Sequence, residues 1–172
     1  MDGGGGAAVP KVRRVLRLLM LEHRTAPSFL RLSLHDALTF DKRTRIGRFQ
    51  VSAGGVASDA RRSAAGGPNG SIASEREAGH PGNEGLRPYV SQLEALRAEE
   101  CPSLSLADVI HLAGLVALES MGGAAVAFRA GRKDSRACPP RGRLPLAEKK
   151  NFAAACGRVG LSARQTVALA GW

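Results

Sequence analysis

The sequence has few aromatic residues, few cysteines and no long apolar run. Phe, Trp and Tyr make up 4% of the 172 residues, so a hydrophobic core must be built mainly from Leu, Val and Ala. The three cysteines, Cys101, Cys138 and Cys156, cannot all pair within the chain and show no short metal-ligand spacing. We therefore expect no metal site made of side-chain ligands, and cysteines that are kept reduced.

Membrane and secretion signals are also missing from the sequence. No apolar run approaches the roughly 20 residues that span a membrane, and the N-terminal residues MDGGGGAAVPKVRRV lack the apolar core of a secretory signal. The basic stretch VRRVLRLLML has some likeness to an organelle-targeting segment, although its spacing suits a packed first helix as well. We expect an intracellular protein, cytoplasmic or chloroplast, that is neither secreted nor bound in a membrane.

The chain is strongly basic, with a formal net charge of +10. Clustered Lys and Arg would favour nucleic-acid binding, because they release counterions from the phosphate backbone. Here the arginines are scattered, from Arg13 through Arg61 to Arg129, without the interleaved aromatic residues that stack on bases. We therefore expect no nucleic-acid partner, and steep salt dependence of binding would be the sign of one.

Apolar residues recur at three- and four-residue steps along most of the chain, which predicts an all-α fold. Alternation typical of strands is confined to short fragments, and 172 residues suit a single domain. Ser105 followed by Asp108 marks the start of a helix that is apolar nearly all round and therefore central. The predicted helices cover 12–23, a segment starting at 26–27, 85–100, a segment after Ser105, 148–156 and 162–170.

Residues 45–65 interrupt the helical pattern with a sequence rich in Gly, Ala, Ser and Arg. The segment has few apolar residues to offset the entropy of ordering it, so we predict an exposed, disordered insertion. A second connection, AAVAFRAGRKDSRACPPRGRLP, is rich in Pro, Gly and Arg and is predicted to be an ordered loop.

Arg31 and His35 form the candidate catalytic pair. They are four residues apart on a predicted helix, which puts their side chains on one face with roughly 5–6 Å between Cβ atoms. An imidazole can take a proton from one peroxide oxygen and pass it to the other, and a guanidinium can stabilise the charge on the departing oxygen. The spacing alone is common on helices, so further evidence is needed.

That evidence is a series of motifs that resembles the plant-type haem peroxidases, most closely the ascorbate peroxidases. The segment APSFLRLSLHDALTFD resembles the helix that carries the peroxide-cleaving residues of that family. Six further matches follow in the family's order: AGGPNGSI, EAGHPGNEGL, LSLADVIHLAGLVALESMGG, FRAGRKD, PRGRLP and LSARQTVALAG. The resemblance implies the distal, N-terminal half of the all-α haem-peroxidase fold, with residues 1–172 as one partial domain.

The resemblance assigns roles to four residues that carry out or support peroxide cleavage. Arg31 matches the distal arginine, and His35 matches the distal acid–base histidine. Asn83 matches an asparagine whose carbonyl accepts the histidine's ring N–H, and Glu77 matches a carboxylate that orients that asparagine. Without the resemblance, Asn83 would suit a turn and Glu77 a solvated charge.

The resemblance also implies haem b as cofactor and hydrogen peroxide and a small, ascorbate-like reductant as substrates. Arg31, Leu34, Leu144 and Pro145 match positions that contact the haem, although Pro145 alone would suit the end of a loop. Leu34 departs from the family, which has an aromatic residue before the distal histidine. The missing aromatic plane is expected to loosen the pocket.

A further departure concerns the family's axial ligand to iron. The family's element VALSGGHTIG, which carries that histidine, is matched here only by VALAGW. We therefore expect a truncated or mis-spliced product that is weak or inactive as a peroxidase in oxidative-stress defence. The alternative is a non-catalytic peroxidase-like remnant that acts as a protein-binding module, with a partner covering its exposed apolar helices.

Overall fold

The computed structural model describes residues 4–43, 66–136, 138–144 and 152–170. The predicted insertion at 45–65 and the candidate haem contact Pro145 lie outside the described residues. The described chain is helical and contains no strand, which confirms the predicted all-α class.

Seven α-helices and one short 3₁₀ helix, Ser71–Ala73, make up the regular structure of the described ranges. None of these helices is long and apolar enough to cross a membrane. In chain order the α-helices are α1 Gly4–His23, α2 Ala26–Leu38, α3 Glu75–Ala78, α4 Arg87–Glu100, α5 Leu106–Ser120, α6 Phe152–Val159 and α7 Ala163–Ala170.

Helix α1 begins earlier than the sequence pattern predicts. The sequence predicts a helix over 12–23 that begins after Pro10, because proline lacks an N–H and suits the first turn of a helix. The structure starts α1 at Gly4, so Pro10 lies inside the helix. The apolar positions Val12, Leu16 and Met20 still form its buried side, as their spacing predicts.

Helix α5 lies at the centre of the fold and packs against α1, α2 and α4. Ten of its residues are buried, which agrees with its apolar sequence on all sides. Gly114 lets α2 approach closely, because a Cβ built at this position would lie 2.4 Å from both Cβ and Oγ of Ser33. Ser33 lies two residues before His35, so this contact sets the distance between α5 and the segment of α2 that carries His35.

The start of α5 is held by two side chains. The Ser105 hydroxyl accepts the Asp108 N–H at 3.0 Å, which is the cap that the sequence predicts. The Asp134 carboxylate accepts the N–H groups of Leu106 and Ala107 at 3.0 and 2.8 Å. A carboxylate at a helix N-terminus also interacts favourably with the helix dipole. The long connection after α5 is therefore tied to the helix that precedes it.

The C-terminal end of α2 is held by an arginine from α6. The Arg158 guanidinium donates to the carbonyl oxygens of Leu38, Thr39, Phe40 and Arg143. The last carbonyls of a helix have no partner within the helix, so the arginine satisfies groups that would otherwise be unpaired. This network fixes the end of the helix that carries Arg31 and His35.

Candidate active site

The candidate site is built around a hydrogen bond between α2 and the loop after α3. His35 Nδ1 lies 2.9 Å from Asn83 Oδ1, and both residues are buried. Asn83 Nδ2 donates to the carbonyl oxygen of Glu77 at 2.8 Å. These two hydrogen bonds link His35, Asn83 and Glu77, three of the four residues that the sequence assigns to peroxide cleavage.

These contacts decide the protonation of the His35 ring. Because the amide nitrogen of Asn83 is used to donate to Glu77, its oxygen must be the acceptor that faces His35. The proton of a neutral His35 ring is therefore on Nδ1, and Nε2 keeps its lone pair. Burial, with a smaller effect of the Arg31 cation, lowers the pKa of His35 below its ordinary value of 6.5. His35 is therefore neutral near pH 7, with Nε2 as a base.

Arg31 lies one turn before His35 on α2 and is half-buried. Its Nη2 donates to the carbonyl oxygen of Gly82, the residue before Asn83. The loop after α3 therefore holds both members of the pair. The backbone carbonyl of Gly82 holds Arg31, and the side chain of Asn83 holds His35. The guanidinium is a permanent cation close enough to His35 to act on its pKa.

Glu77 lies beneath this arrangement and is fully buried. Its backbone carbonyl holds Asn83. Neither side-chain oxygen makes a hydrogen bond of ordinary geometry, although the Ser71 hydroxyl lies close enough to the carboxyl to oppose the effect of burial on its pKa. Burial raises the pKa of Glu77 to about 7, so the carboxyl is largely protonated in mildly acidic solution. In the structure, Glu77 positions Asn83 through its backbone carbonyl and not through its carboxylate.

Asp36 is a buried carboxyl that the sequence reasoning did not single out. It follows His35 directly and is 1% exposed. Its Oδ2 accepts the Gly70 N–H at 3.0 Å, which ties α2 to the segment before the 3₁₀ helix. Burial raises the pKa of Asp36 to about 7. An acidic residue beside His35 in a stretch of apolar residues was the available sequence signal.

Of the candidate haem contacts apart from Arg31, the structure describes Leu34 and Leu144. Leu34 is half-buried on α2 beside His35. Leu144 is buried outside the main core, next to Arg143, whose guanidinium donates to the Thr39 carbonyl at 3.3 Å. The segment with Leu144 therefore lies by the C-terminal end of the helix that carries His35. Pro145 is not among the described residues.

Comparisons with known proteins agree with this arrangement. A model of the family described as peroxidase matches residues 11–172. The chain belongs to the peroxidase family. It is similar to L-ascorbate peroxidase 3 of Arabidopsis thaliana, with 38% identity over 165 residues that cover 95% of this chain and 50% of the relative. It is also similar to cytosolic L-ascorbate peroxidase 1 of Oryza sativa subsp. indica, with 40% identity over 170 residues that cover 95% of this chain and 59% of the relative.

Membership of the peroxidase family, with these relatives, confirms the resemblance to ascorbate peroxidases that the motifs indicate. The chain spans between half and three-fifths of the length of these curated relatives. A third relative is described as a probable peroxisomal L-ascorbate peroxidase 4 of Oryza sativa subsp. japonica, at 39% identity.

A peroxidase of this family implies haem, and the chemistry of the described residues fits the peroxide-facing side of one. The His35 Nε2 lone pair is a base, and Arg31 is a fixed cation one turn away. Among the described residues, no group of three or more His, Cys, Asp or Glu side chains could hold a metal ion. The pair of base and cation is thus suited to act on a group bound beside it.

Proposed function

We propose that this chain forms the peroxide-cleaving side of a haem-dependent peroxidase that reduces hydrogen peroxide with a small, ascorbate-like reductant. The observation that carries the proposal is the hydrogen bond between His35 Nδ1 and Asn83 Oδ1. It holds the ring in the tautomer with a free Nε2, which is the form that a peroxide-cleaving base requires. The identity to ascorbate peroxidases of two plants supports the choice of reductant.

Haem b, when bound, supplies the iron at which the O–O bond of peroxide is cleaved. His35 Nε2 would accept a proton from one oxygen of the peroxide and then give it to the departing oxygen. Arg31 stabilises the negative charge that develops on that departing oxygen. Asn83 keeps the His35 ring oriented, and Glu77 keeps Asn83 in place through its backbone carbonyl. Arg31, Leu34, Leu144 and Pro145 are the residues proposed to contact the haem.

For a polypeptide of these 172 residues alone, we propose weak haem binding and slow turnover. None of the four histidines of this chain matches the histidine that binds the haem iron in the family. His35 is the proposed base, His80 contacts Cys138, and the His111 ring lies beside Phe128. His23 is exposed at the end of α1. A histidine side chain would be needed to hold the haem iron, and none of these four is in a setting that would supply it.

Haem titration and peroxide consumption with ascorbate test these two proposals separately. The 172-residue chain should bind haem weakly, and added 2-methylimidazole, which supplies an axial nitrogen, should increase peroxide consumption. Peroxide consumption no faster than that of free haem with 2-methylimidazole would refute the peroxidase proposal. Tight haem binding and fast turnover without added imidazole would refute only the proposal of weak activity.

A second candidate is the non-catalytic protein-binding module. Leu18 and Leu21 on α1 are 58% and 73% exposed, and Val167 on α7 is 73% exposed. Exposed leucines and valines of this kind favour contact with a protein partner, although scattered ones are common on surfaces. If this role is the correct one, Leu18→Ser with Leu21→Ser abolishes partner binding, while the chain shows no specific haem binding.

For its location we propose an intracellular protein. Relatives described as cytosolic and peroxisomal support this proposal. The chloroplast stays a prediction from the sequence. Imaging of the tagged protein in cells would test both.

A further inference from the structure

A separate cavity lies between α3, the loop that follows it and the segment 138–141. It has a volume of ≈ 360 Å³ and is lined by Arg76, His80, Cys138, Pro139, Pro140 and Arg141. This volume falls in the range of about 300–1,000 Å³ that small-molecule sites occupy. The residues assigned to peroxide cleavage do not line it, so it is a different cavity from the proposed site.

A thiol and an imidazole face each other in this cavity. Cys138 Sγ lies 3.4 Å from His80 Nε2, and the Pro139 carbonyl lies 3.3 Å from the same sulfur. His80 is 8% exposed, whereas Cys138 is half-buried. The sulfur is therefore accessible from the cavity, while the base beside it is sheltered from water.

The three cysteines differ sharply in access. Cys101 and Cys156 are 1% and 0% exposed, respectively, so a reagent reaches them only after the fold opens. Cys138 is the cysteine that combines accessibility with a neighbouring base. Buried cysteines generally behave as inert apolar residues, whereas reactive ones lie in accessible, positively charged surroundings.

Two exposed arginines provide those surroundings. Arg76 and Arg141 line the cavity together with the thiol–imidazole pair. Both favour a negatively charged sulfur at Cys138, against the larger opposing effects of burial and of the Glu77 carboxyl. Guanidinium groups bind carboxylates with two parallel hydrogen bonds. A ligand that carries carboxylates and a reactive sulfur therefore matches the cavity better than a neutral one.

We propose that Cys138 is a thiol-modification site, at which His80 accepts the thiol proton and Arg76 and Arg141 bind the carboxylates of an incoming peptide disulfide. Burial raises the pKa of the Cys138 thiol and lowers that of His80. The resting pair is therefore a neutral thiol beside a neutral imidazole. The thiol needs this base to react, because the thiolate is the attacking species.

The reaction is thiol–disulfide exchange. The Cys138 sulfur bonds to one sulfur of the peptide disulfide while the S–S bond of that disulfide breaks. The thiol proton passes to His80 Nε2 and then to the departing thiolate. Cys138 is oxidised to a mixed disulfide and the released half is reduced to a thiol, so the disulfide itself is the oxidant.

The test uses glutathione disulfide as an anionic probe and hydroxyethyl disulfide as a neutral one. The full chain is incubated with each, and mass spectrometry of its peptides gives the rate of modification at each cysteine. Cys138 should react first with both probes, and Cys101 and Cys156 are internal controls. Modification of either buried cysteine as fast as Cys138 would overturn the proposal.

Variants then separate the two parts of the site. His80→Asn should slow the modification of Cys138 by about tenfold or more with both probes, as loss of a general base does. His23→Asn, at an exposed histidine far along the chain, is the matched control. Arg141→Gln removes a charge that acts on the Cys138 sulfur with either probe, so the neutral probe reports that shared effect. The reaction with glutathione disulfide should be slowed by about a further two- to fivefold, the effect of one exposed ion pair. Unchanged rates in both variants would show that Cys138 is merely an exposed thiol.

Discussion

His35 Nδ1 lies 2.9 Å from Asn83 Oδ1, and the Asn83 amide nitrogen lies 2.8 Å from the Glu77 carbonyl oxygen. Because the Asn83 amide nitrogen donates to Glu77, the Asn83 oxygen must accept from His35. The proton of the neutral ring is therefore on Nδ1. The ring is therefore ready to accept a proton at Nε2 before any substrate arrives.

Nuclear magnetic resonance of ¹⁵N-labelled histidine can test this tautomer directly. His35 should show a protonated Nδ1 and an unprotonated Nε2 at pH 7, with a pKa below its ordinary value of 6.5 because the ring is buried. Asn83→Leu removes the acceptor and should mix the two tautomers. A His35 pKa above 6.5, or no change of tautomer in Asn83→Leu, would contradict the geometry.

The buried carboxyl of Glu77 should make stability depend on pH. Its pKa is raised to about 7 in the folded protein, from 4.5 in the unfolded chain. The folded state therefore holds the Glu77 proton more tightly than the unfolded chain does. Proton binding at Glu77 contributes fully to the free energy of unfolding below pH 4.5, and this contribution is lost as the pH rises to about 7. Glu77→Gln cannot ionise, so at pH 8 it should raise the free energy of unfolding by about 1–3 kcal/mol relative to the parent chain.

Glu75→Gln is the matched control, since Glu75 is exposed on the same short helix. It should change the free energy of unfolding by less than about 0.5 kcal/mol at either pH. Urea unfolding at pH 5 and pH 8 measures both variants. Equal effects of Glu77→Gln at the two pH values would contradict a raised pKa.

The close contact between α2 and α5 gives a second stability prediction. Gly114→Ala adds a Cβ that would lie 2.4 Å from Ser33 Oγ, so α2 must shift. The free energy of unfolding should fall by about 1–3 kcal/mol. Gly157→Ala in α6 is the control, because a Cβ there meets nothing within 4 Å. Alanine also favours a helix over glycine by about 0.5–1 kcal/mol, so this variant should be stabilised. Thermal unfolding of the two variants shows whether their effects have opposite signs.

The cap that joins the long connection to α5 should also contribute to stability. Asp134→Ala removes an acceptor from the N–H groups of Leu106 and Ala107 and should cost about 1 kcal/mol. Lys133→Ala, at the neighbouring exposed residue, should have little effect. Urea unfolding of the two variants gives the comparison. Equal midpoints would show that the Asp134 contact adds nothing to stability.

The local features of the fold were predictable from the sequence. The proline after Ala26 predicts the start of α2, and Ser105 predicts the start of α5. These features depend on residues close together in the chain. The start of α1 at Gly4 was not predictable, because glycine and an internal proline both disfavour a helix.

Contacts between distant residues could not be predicted from helical spacing. The Arg158 guanidinium reaches the end of α2 from about 120 residues further along the chain. The burial of Glu77 and Asp36 depends on packing around them, because both would be solvated if their own segments were isolated. Only the resemblance to a family indicated that Asn83 lies beside His35, and the pairing of Cys138 with His80 had no signal in the motifs.

The rate of peroxide consumption in His35→Ala tests the central claim most directly. The parent chain, His35→Ala and the exposed control His23→Ala are loaded with haem, given 2-methylimidazole as axial ligand, and mixed with hydrogen peroxide and ascorbate. If His35 Nε2 is the base, His35→Ala lowers the rate by about 10²–10⁴-fold and His23→Ala leaves it unchanged. Equal rates in the parent and His35→Ala would contradict the proposed role of His35 and with it the assignment of this site.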